Sequence, residues 1–350
     1  MVKSKPVKLK GTAMDTPQMS PGSILSQMLL GNRVQQAIYV AAKLGIADLL
    51  KDGPKGSEEL AQAAGAHAES LYRLLRVLAS FGVFSEDEQG RFELTPLASL
   101  LRKGTRNSKR AFALWSGGVS YQLFGALEYS VLTGEPAFDH LFGSEFFEYL
   151  AQNPDVGIVF DEFMSRQTAP IGPVVAAYDF SGVNTVVDVG GGRGELLAAI
   201  LSAHPTLRGV LIDHSRVIQG AKSVLEAANV ADRCETVCGD ILESVPCNGD
   251  TYILKNITHG LNDDDAIRVL RNCYRAMNDG AKLLLIEFLM PLGNDPFPGK
   301  LMDLLMLVGS HGGRERTEAE FRTLFAAAGL RLTNILTTKY AYSLIEARAA

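Results

Sequence analysis

The 350-residue sequence predicts an α/β fold: a doubly wound, mostly parallel sheet ending in an antiparallel hairpin and preceded by a mainly α-helical region. Three observations carry this. Strand patterns at 186–189, 210–213, 235–238, 252–257 and 283–289 alternate with helical ones, as parallel crossovers require. The first strand breaks into the loop Gly190-Gly191-Gly192-Arg193-Gly194, which opens a helix. Before residue 181 the periodicity is mostly helical.

The elements follow in order. Residues 1–10 are basic with no apolar stretch behind them, so they do not read as a targeting segment. Residues 20–50 carry Ile24, Met28, Leu29, Val34, Ile38, Ala41, Ala42 and Leu49 at helical spacing with little charge on any face. Such a helix should be buried against something, for instance a second subunit. Ser57 is expected to cap a short helix, and 68–80 to form another. Strands at 82–85 and 90–94 flank the acidic turn Glu86-Asp87-Glu88-Gln89, and helix, helix and two-stranded wing together make a winged helix. Helices continue through 106–180, the pattern changes at Ser181-Gly182-Val183-Asn184, and 332–337 with 342–346 close the sheet as a hairpin. Domains are therefore expected at 20–105, 106–180 and 181–350.

Composition excludes several classes. With 47% hydrophobic and 21% charged residues the chain is an ordinary globular one, large enough for two domains. A net charge of −5 argues against a nucleic-acid binder. The recognition-helix position offers Glu69, Arg73 and Arg76 among apolar residues, thin provision for phosphate contact. No apolar run is long enough for a membrane span, so a cytoplasmic protein is expected. Cys234, Cys238, Cys247 and Cys273 lack C-x-x-C spacing and a histidine cluster, and read as reduced filler with no metal site.

The glycine loop discriminates among nucleotides. A dinucleotide fingerprint needs G-x-G-x-x-G/A, but counting on from Gly190 and Gly192 reaches Glu195, and from Gly192 and Gly194 reaches Leu197. The second strand ends in Asp213, 25 positions after Asp188 (213 − 188), where a doubly wound sheet presents a carboxylate to a ribose. The third runs into Gly239-Asp240-Ile241-Leu242. Each acid alone reads equally well as a turn residue or helix cap; together, in register with alternating helices, they point to a nucleotide site.

The run Asp188-Val189-Gly190-Gly191-Gly192-Arg193-Gly194 resembles the first motif of class I methyltransferases that bind S-adenosylmethionine, in the form found in plant-type and bacterial small-molecule O-methyltransferases. Gly239-Asp240-Ile241-Leu242 resembles that family's adenine-bracketing segment. The resemblance implies a Rossmann-like class I methyltransferase domain behind a winged-helix dimerisation domain. It implies S-adenosyl-L-methionine as cofactor, and a homodimer in which each N-terminal region closes part of the partner's substrate pocket. It assigns Asp188, Gly190 and Gly192 to the cofactor, Asp213 to its ribose, and Asp240 and Ile241 to its adenine.

Chemistry enters with the fourth strand. Tyr252 to His259 resembles the family segment in which a lysine, here Lys255, contacts cofactor and the histidine four residues later is the general base. Methyl transfer from a sulfonium is an in-line displacement, so the acceptor oxygen must be held close and relieved of its proton, a task suited to imidazole. His311-Gly312-Gly313-Arg314-Glu315-Arg316-Thr317 resembles the family's G-G-(K/R)-E-R-T motif, and the resemblance has Glu315 and Glu287 hold the tautomer and orientation of His259. His311 is a rival base on position alone, Glu287 reads equally as a solvated acid, and Thr317 with Glu320 fits a capping box. Phe160 and Met164 resemble an F-x-x-x-M stretch that, with Met306, would flank the acceptor, although periodicity alone reads as plain core.

One departure stands out: the family commonly continues its histidine as H-D-W, whereas this chain has His259-Gly260-Leu261. The implied function is metal-independent methylation of a hydroxyl on a small aromatic or enolic natural product. The alternatives are a non-methylating enzyme on the same scaffold (a hydroxylase, decarboxylase or pericyclase) and a winged-helix regulator that keeps the cofactor fold as a sensor.

Overall fold

A computed structural model of the chain describes residues 20–105, 107–167, 171–338 and 340–350, with 165–167 described by their backbone alone. The basic segment 1–10 lies outside the described residues. The chain divides into one compact unit ending at Lys103 and a second, Gly104–Ala350, so the helical stretch 107–180 belongs with the sheet rather than standing apart.

In the first unit Ser20 caps the helix Pro21–Lys43 by accepting the Ser23 N–H at 3.1 Å. The helix stops short of residue 50 because Gly45, at φ 71°, turns the chain into the separate helix Ile46–Leu49. Ala41 and Ala42 are buried at its end, while Met28 and Leu29 are 72% and 69% exposed near its start. Strand β1 (Lys55–Gly56), helices Ser57–Ala64 and Ala68–Ser80, and strands β2 (Phe84–Glu86) and β3 (Arg91–Leu94) complete the winged helix. The wing has three antiparallel strands in the order β1-β3-β2, one more than the sequence predicts. Ser57 is the first helical residue rather than the cap; Gly56 occupies the cap position, and Glu58 and Glu59 complement the helix dipole. Leu60, Leu71, Leu75, Leu78, Phe84 and Phe92 are buried here.

The second unit begins with helices, among them Arg110–Gly117 and Pro154–Gln167, that share an aromatic core of Trp115, Phe146, Phe160 and Phe163. The sheet follows: β4 (Thr185–Val189), β5 (Arg208–Asp213), β6 (Cys234–Cys238), β7 (Gly249–Lys255), β8 (Met277–Phe288), β9 (Leu330–Thr337) and β10 (Tyr342–Ala349). Its order is β6-β5-β4-β7-β8-β10-β9, parallel through β8, with β10 antiparallel to both neighbours. The hairpin thus closes the sheet as predicted. Successive strand residues fall to opposite faces, so Val186 packs with Leu197, Leu211 and Leu344, while Val187 packs with Tyr252, Leu285 and Phe321. Because the chain winds outward from β4 to β6 and returns to β7 on the other side, the carboxyl ends of these strands share one crevice.

Candidate active site

The glycine loop leaves β4 at that crevice. Gly190 donates its N–H to the Ile212 carbonyl at 2.9 Å, tying the loop to β5. Gly190, Gly192 and Gly194 have φ of 68°, 64° and 80°, the left-handed region that a side chain disfavours. A Cβ on Gly191 would strike the Asp188 carboxylate and Leu211, whereas one on Gly192 would meet nothing within 4 Å. The loop therefore packs on Asp188 and opens at Gly192.

Three charged groups face this loop. Asp213 accepts the Gly192 N–H at 2.8 Å through Oδ2 and the His214 N–H at 2.7 Å through Oδ1; burial raises its pKa against those bonds. Asp188 is 1% exposed, and neither of its oxygens has a hydrogen-bond partner. Burial pushes it up to about 7, against the attraction of Lys255. Lys255 is pulled down to about 8 by its own burial, opposed by Asp188 and Glu195. A buried carboxylate with two orphaned oxygens calls for a donor from outside the protein. The orphaned acid, the open face of Gly192 and the acid at the end of β5 fit S-adenosylmethionine, which carries an ammonium group and a ribose diol. Asp240, by contrast, accepts the Leu242 N–H at 2.8 Å in its own turn, so one of its oxygens serves the local backbone. Ile241 packs at the edge of the second core, beside Leu242 and Ile257.

Beyond β7 the chain leaves the sheet at Asn256, φ 54°, and enters the 3₁₀ turn Thr258–Gly260. His259 in that turn is 8% exposed, and its Nδ1 lies 2.7 Å from Glu315 Oε1. Burial disfavours the charged ring, but the bond and charge of Glu315 outweigh it and set the pKa above the ordinary imidazole value. Burial likewise lifts Glu315 above the usual carboxylate range, with His259 opposing. A Nδ1–H donated to Glu315 leaves the lone pair on Nε2.

Glu287 departs from the expectation that it holds the ring. Its Oε1 accepts the N–H groups of Ile257 and Thr258 at 3.2 and 2.7 Å, and its Oε2 accepts the Thr258 hydroxyl at 2.7 Å. Adjacency of β8 to β7 explains this: Ile286 pairs with Lys255, so the next side chain meets the backbone as it leaves β7. The sequence reading also missed Arg316. Fully buried, it donates to the carbonyls of Thr258 and Leu261 at 2.5 and 2.8 Å and to Asp263 Oδ1 at 2.8 Å. Its only signal was its place beside Glu315, where the Thr317–Glu320 capping box does form. Asp303 accepts the Glu315 N–H at 2.8 Å. His311 is half-exposed and bonds Asp139 at 2.7 Å, apart from the His259–Glu315 pair. A Cβ at Gly260 would meet nothing within 4 Å, so space stands open beside the His259 turn.

Of the acceptor-side residues, Phe160 joins the aromatic core, its ring 5.0 Å from Trp115 and 4.9 Å from Phe146. Met164 and Met306 remain partly exposed. Among the described residues no three His, Cys, Asp or Glu side chains group as metal ligands, and no helix is long and apolar enough to cross a membrane.

Two family descriptions match the chain: an O-methyltransferase domain over residues 124–331 and an O-methyltransferase dimerisation domain over residues 26–104. The chain is 49% identical over 327 residues to the phenazine O-methyltransferase PhzM of Lysobacter antibioticus, covering 93% of this chain and 96% of that protein. It is 33% identical over 323 residues to the phenazine-1-carboxylate N-methyltransferase of Pseudomonas aeruginosa, covering 92% and 96%. It also resembles the O-methyltransferase NcsB1 from neocarzinostatin biosynthesis, solved with S-adenosylmethionine and 2-hydroxy-5-methyl naphthoic acid: TM-score 0.79 and 35% identity over 90% of this chain and 96% of that one. The chain belongs to the S-adenosylmethionine-dependent O-methyltransferase family, with a dimerisation domain ahead of a class I methyltransferase domain.

Proposed function

We propose that this chain transfers the methyl group of S-adenosyl-L-methionine to a hydroxyl of a small aromatic or enolic natural product, with His259 as general base. The observation that supports this reading is the buried His259–Glu315 pair, 2.7 Å apart. A phenol attacks well only once its proton has gone, whereas a neutral aromatic nitrogen already presents its lone pair. A carboxylate-backed imidazole therefore has work to do on a hydroxyl acceptor and none on a ring nitrogen, which favours O-methylation even though the relatives include an N-methyltransferase.

When bound, the cofactor supplies an electrophilic methyl group. The chain's residues do the rest. Gly190 and Gly192 admit a ligand close to the backbone, Asp213 accepts from the ribose while still holding the Gly192 N–H, and Asp188 with Lys255 gives a polar floor. Asp240 and Ile241 bracket the adenine. Nε2 of His259 takes the acceptor proton, and Glu315 stabilises the imidazolium that results. Glu287 and Arg316 fix the turn that aims the ring. Phe160, Met164 and Met306 form apolar acceptor walls. The exposed stripe Leu25, Met28 and Leu29 on the first helix pairs with a second copy, giving a homodimer.

The test uses methyl-labelled S-adenosylmethionine with two acceptors, a hydroxyphenazine and phenazine-1-carboxylate. The expected result is label on the hydroxyl oxygen, abolished in His259→Ala. Label on a ring nitrogen, undiminished in that variant, would overturn the reading.

A further inference from the structure

The helix Pro154–Gln167 carries Phe160 and Met164, and between them Asp161, whose side chain is only 15% exposed. Asp161 grips Arg216 with both oxygens, at 2.8 and 3.2 Å, and its Oδ2 also lies 3.9 Å from Arg193. Neither arginine belongs to the acceptor helices. Arg193 sits inside the glycine loop, and Arg216 lies three residues beyond Asp213 (216 − 213) in the short helix Ser215–Ile218. Two glycines make room for them. At Gly157, one turn before Asp161, a Cβ would stand 3.3 Å from Arg216 Nη1, and at Gly220 one would stand 3.0 Å from Arg193 Nε. A forked arginine–carboxylate pair fixes relative orientation as well as distance. Here a single carboxylate on the acceptor side is shared by the two segments that form the cofactor side.

We propose that Asp161 is a positioning residue that couples the acceptor helix 154–167 to the glycine loop, so that cofactor binding orders the acceptor wall. The idea rests on the functional reading above. A ligand that grips Asp213 also fixes Gly192 and His214, which bond its carboxylate, and these flank Arg193 and Arg216. Both arginines then present a fixed fork to Asp161, and the ordering passes into the helix that carries Phe160. Coupling of this kind is reciprocal: what the cofactor does for the helix, an acceptor held by the helix does for the cofactor. An ordinary exposed ion pair would add little stability and transmit nothing.

Hydrogen–deuterium exchange on the full chain, with and without S-adenosylhomocysteine, separates these cases. In the parent, the ligand should slow exchange at 190–197 and, by about tenfold, at 154–167, a factor typical of coupled sites. In Asp161→Asn the slowing at 190–197 should persist while that at 154–167 disappears. If Asp161→Asn already loosens its helix without ligand, Arg216→Gln decides, because it breaks the same pair and leaves the helix sequence intact. Ligand-induced slowing of 154–167 that survives in Arg216→Gln, or that is absent from the parent, overturns the coupling. No slowing at 190–197 in the parent would instead overturn the cofactor site assignment, and the coupling with it.

Discussion

Glu315→Gln probes the His259 pair without removing the ring. The bond it alters is 2.7 Å long and joins side chains 10% and 0% exposed, so water screens it little. A charge-assisted bond in such surroundings is worth about 1.5–3 kcal/mol. Its loss lowers the His259 pKa, because the bond and charge of Glu315 are what favour the protonated ring. In the parent, Glu315 outweighs burial and holds that pKa above the ordinary imidazole value. Without the charge, burial prevails and the pKa falls below it. The ring acts as a base only when neutral, so the acidic limb of kcat against pH lies above the ordinary imidazole value in the parent and moves to lower pH in the variant. The plateau drops too, by ~10–100-fold, because a weaker base draws the proton less and the amide can turn its NH₂ to Nδ1, which places the ring proton on Nε2. Initial rates with methyl-labelled cofactor across the pH range, both substrates saturating, measure this, with calorimetry of S-adenosylhomocysteine as control. A limb that stays put or moves upward in an active variant refutes the argument.

Further outcomes follow from the same geometry. His259→Ala should lower kcat by about 10²–10⁴ while S-adenosylhomocysteine affinity, read by calorimetry, hardly changes. Asp213→Ala removes both the proposed ribose acceptor and the anchor of the Gly192 N–H, so affinity should fall about ten- to a hundredfold, or about 1.5–3 kcal/mol. Arg316→Met strands the carbonyls of Thr258 and Leu261, and calorimetric melting should show a loss of about 3–5 kcal/mol; an unchanged Tm would show that the turn holds itself. Asp188 has its folded pKa raised to about 7 from 3.8, so its contribution is fully present below pH 3.8 and is lost as pH rises through 7. Melts across that window should show Asp188→Asn escaping a loss on the order of 4 kcal/mol, while its cofactor affinity falls about tenfold.

The fold and the glycine loop were legible because their causes are local. A strand buried on both faces must be apolar, and a chain that turns left-handed three times at 190, 192 and 194 must carry glycine there. The place of Asp213 at the end of β5 was legible for the same reason. Partners were harder to read. Glu287 is visible in the sequence as an acid at a strand end, but whether it meets a ring or a backbone is decided by the register of β8 against β7. Arg316 looks like any surface arginine beside a capping box until the fold buries it under the His259 turn. Asp161, between Phe160 and Met164, carries no signal in the sequence, because its partners lie 32 and 55 positions away (193 − 161 and 216 − 161). Apolar spacing alone carries the first helix on to residue 50, because the left-handed turn at Gly45 that ends it does not interrupt that spacing.

The distribution of buried charge carries the functional argument furthest. Burying an ionisable group costs stability unless it is fully paired. In this fold Arg316 is well supplied, and Glu287 is satisfied by two backbone N–H groups and a hydroxyl. Those two hold the His259 turn from opposite sides, β8 on one and the segment after Gly313 on the other. Around the proposed site the carboxylate oxygens left without a hydrogen bond are different ones: both of Asp188, and Oε2 of Glu315 behind the His259 ring. One gap lies at the glycine loop and the other beside the imidazole, the two places where cofactor and acceptor meet on the proposed reading. A fold selected for stability alone would carry an apolar side chain in place of Asp188, with the buried Lys255 replaced alongside it. The presence of Asp188, at several kcal/mol, supports the proposed site, preorganised for a cationic cofactor.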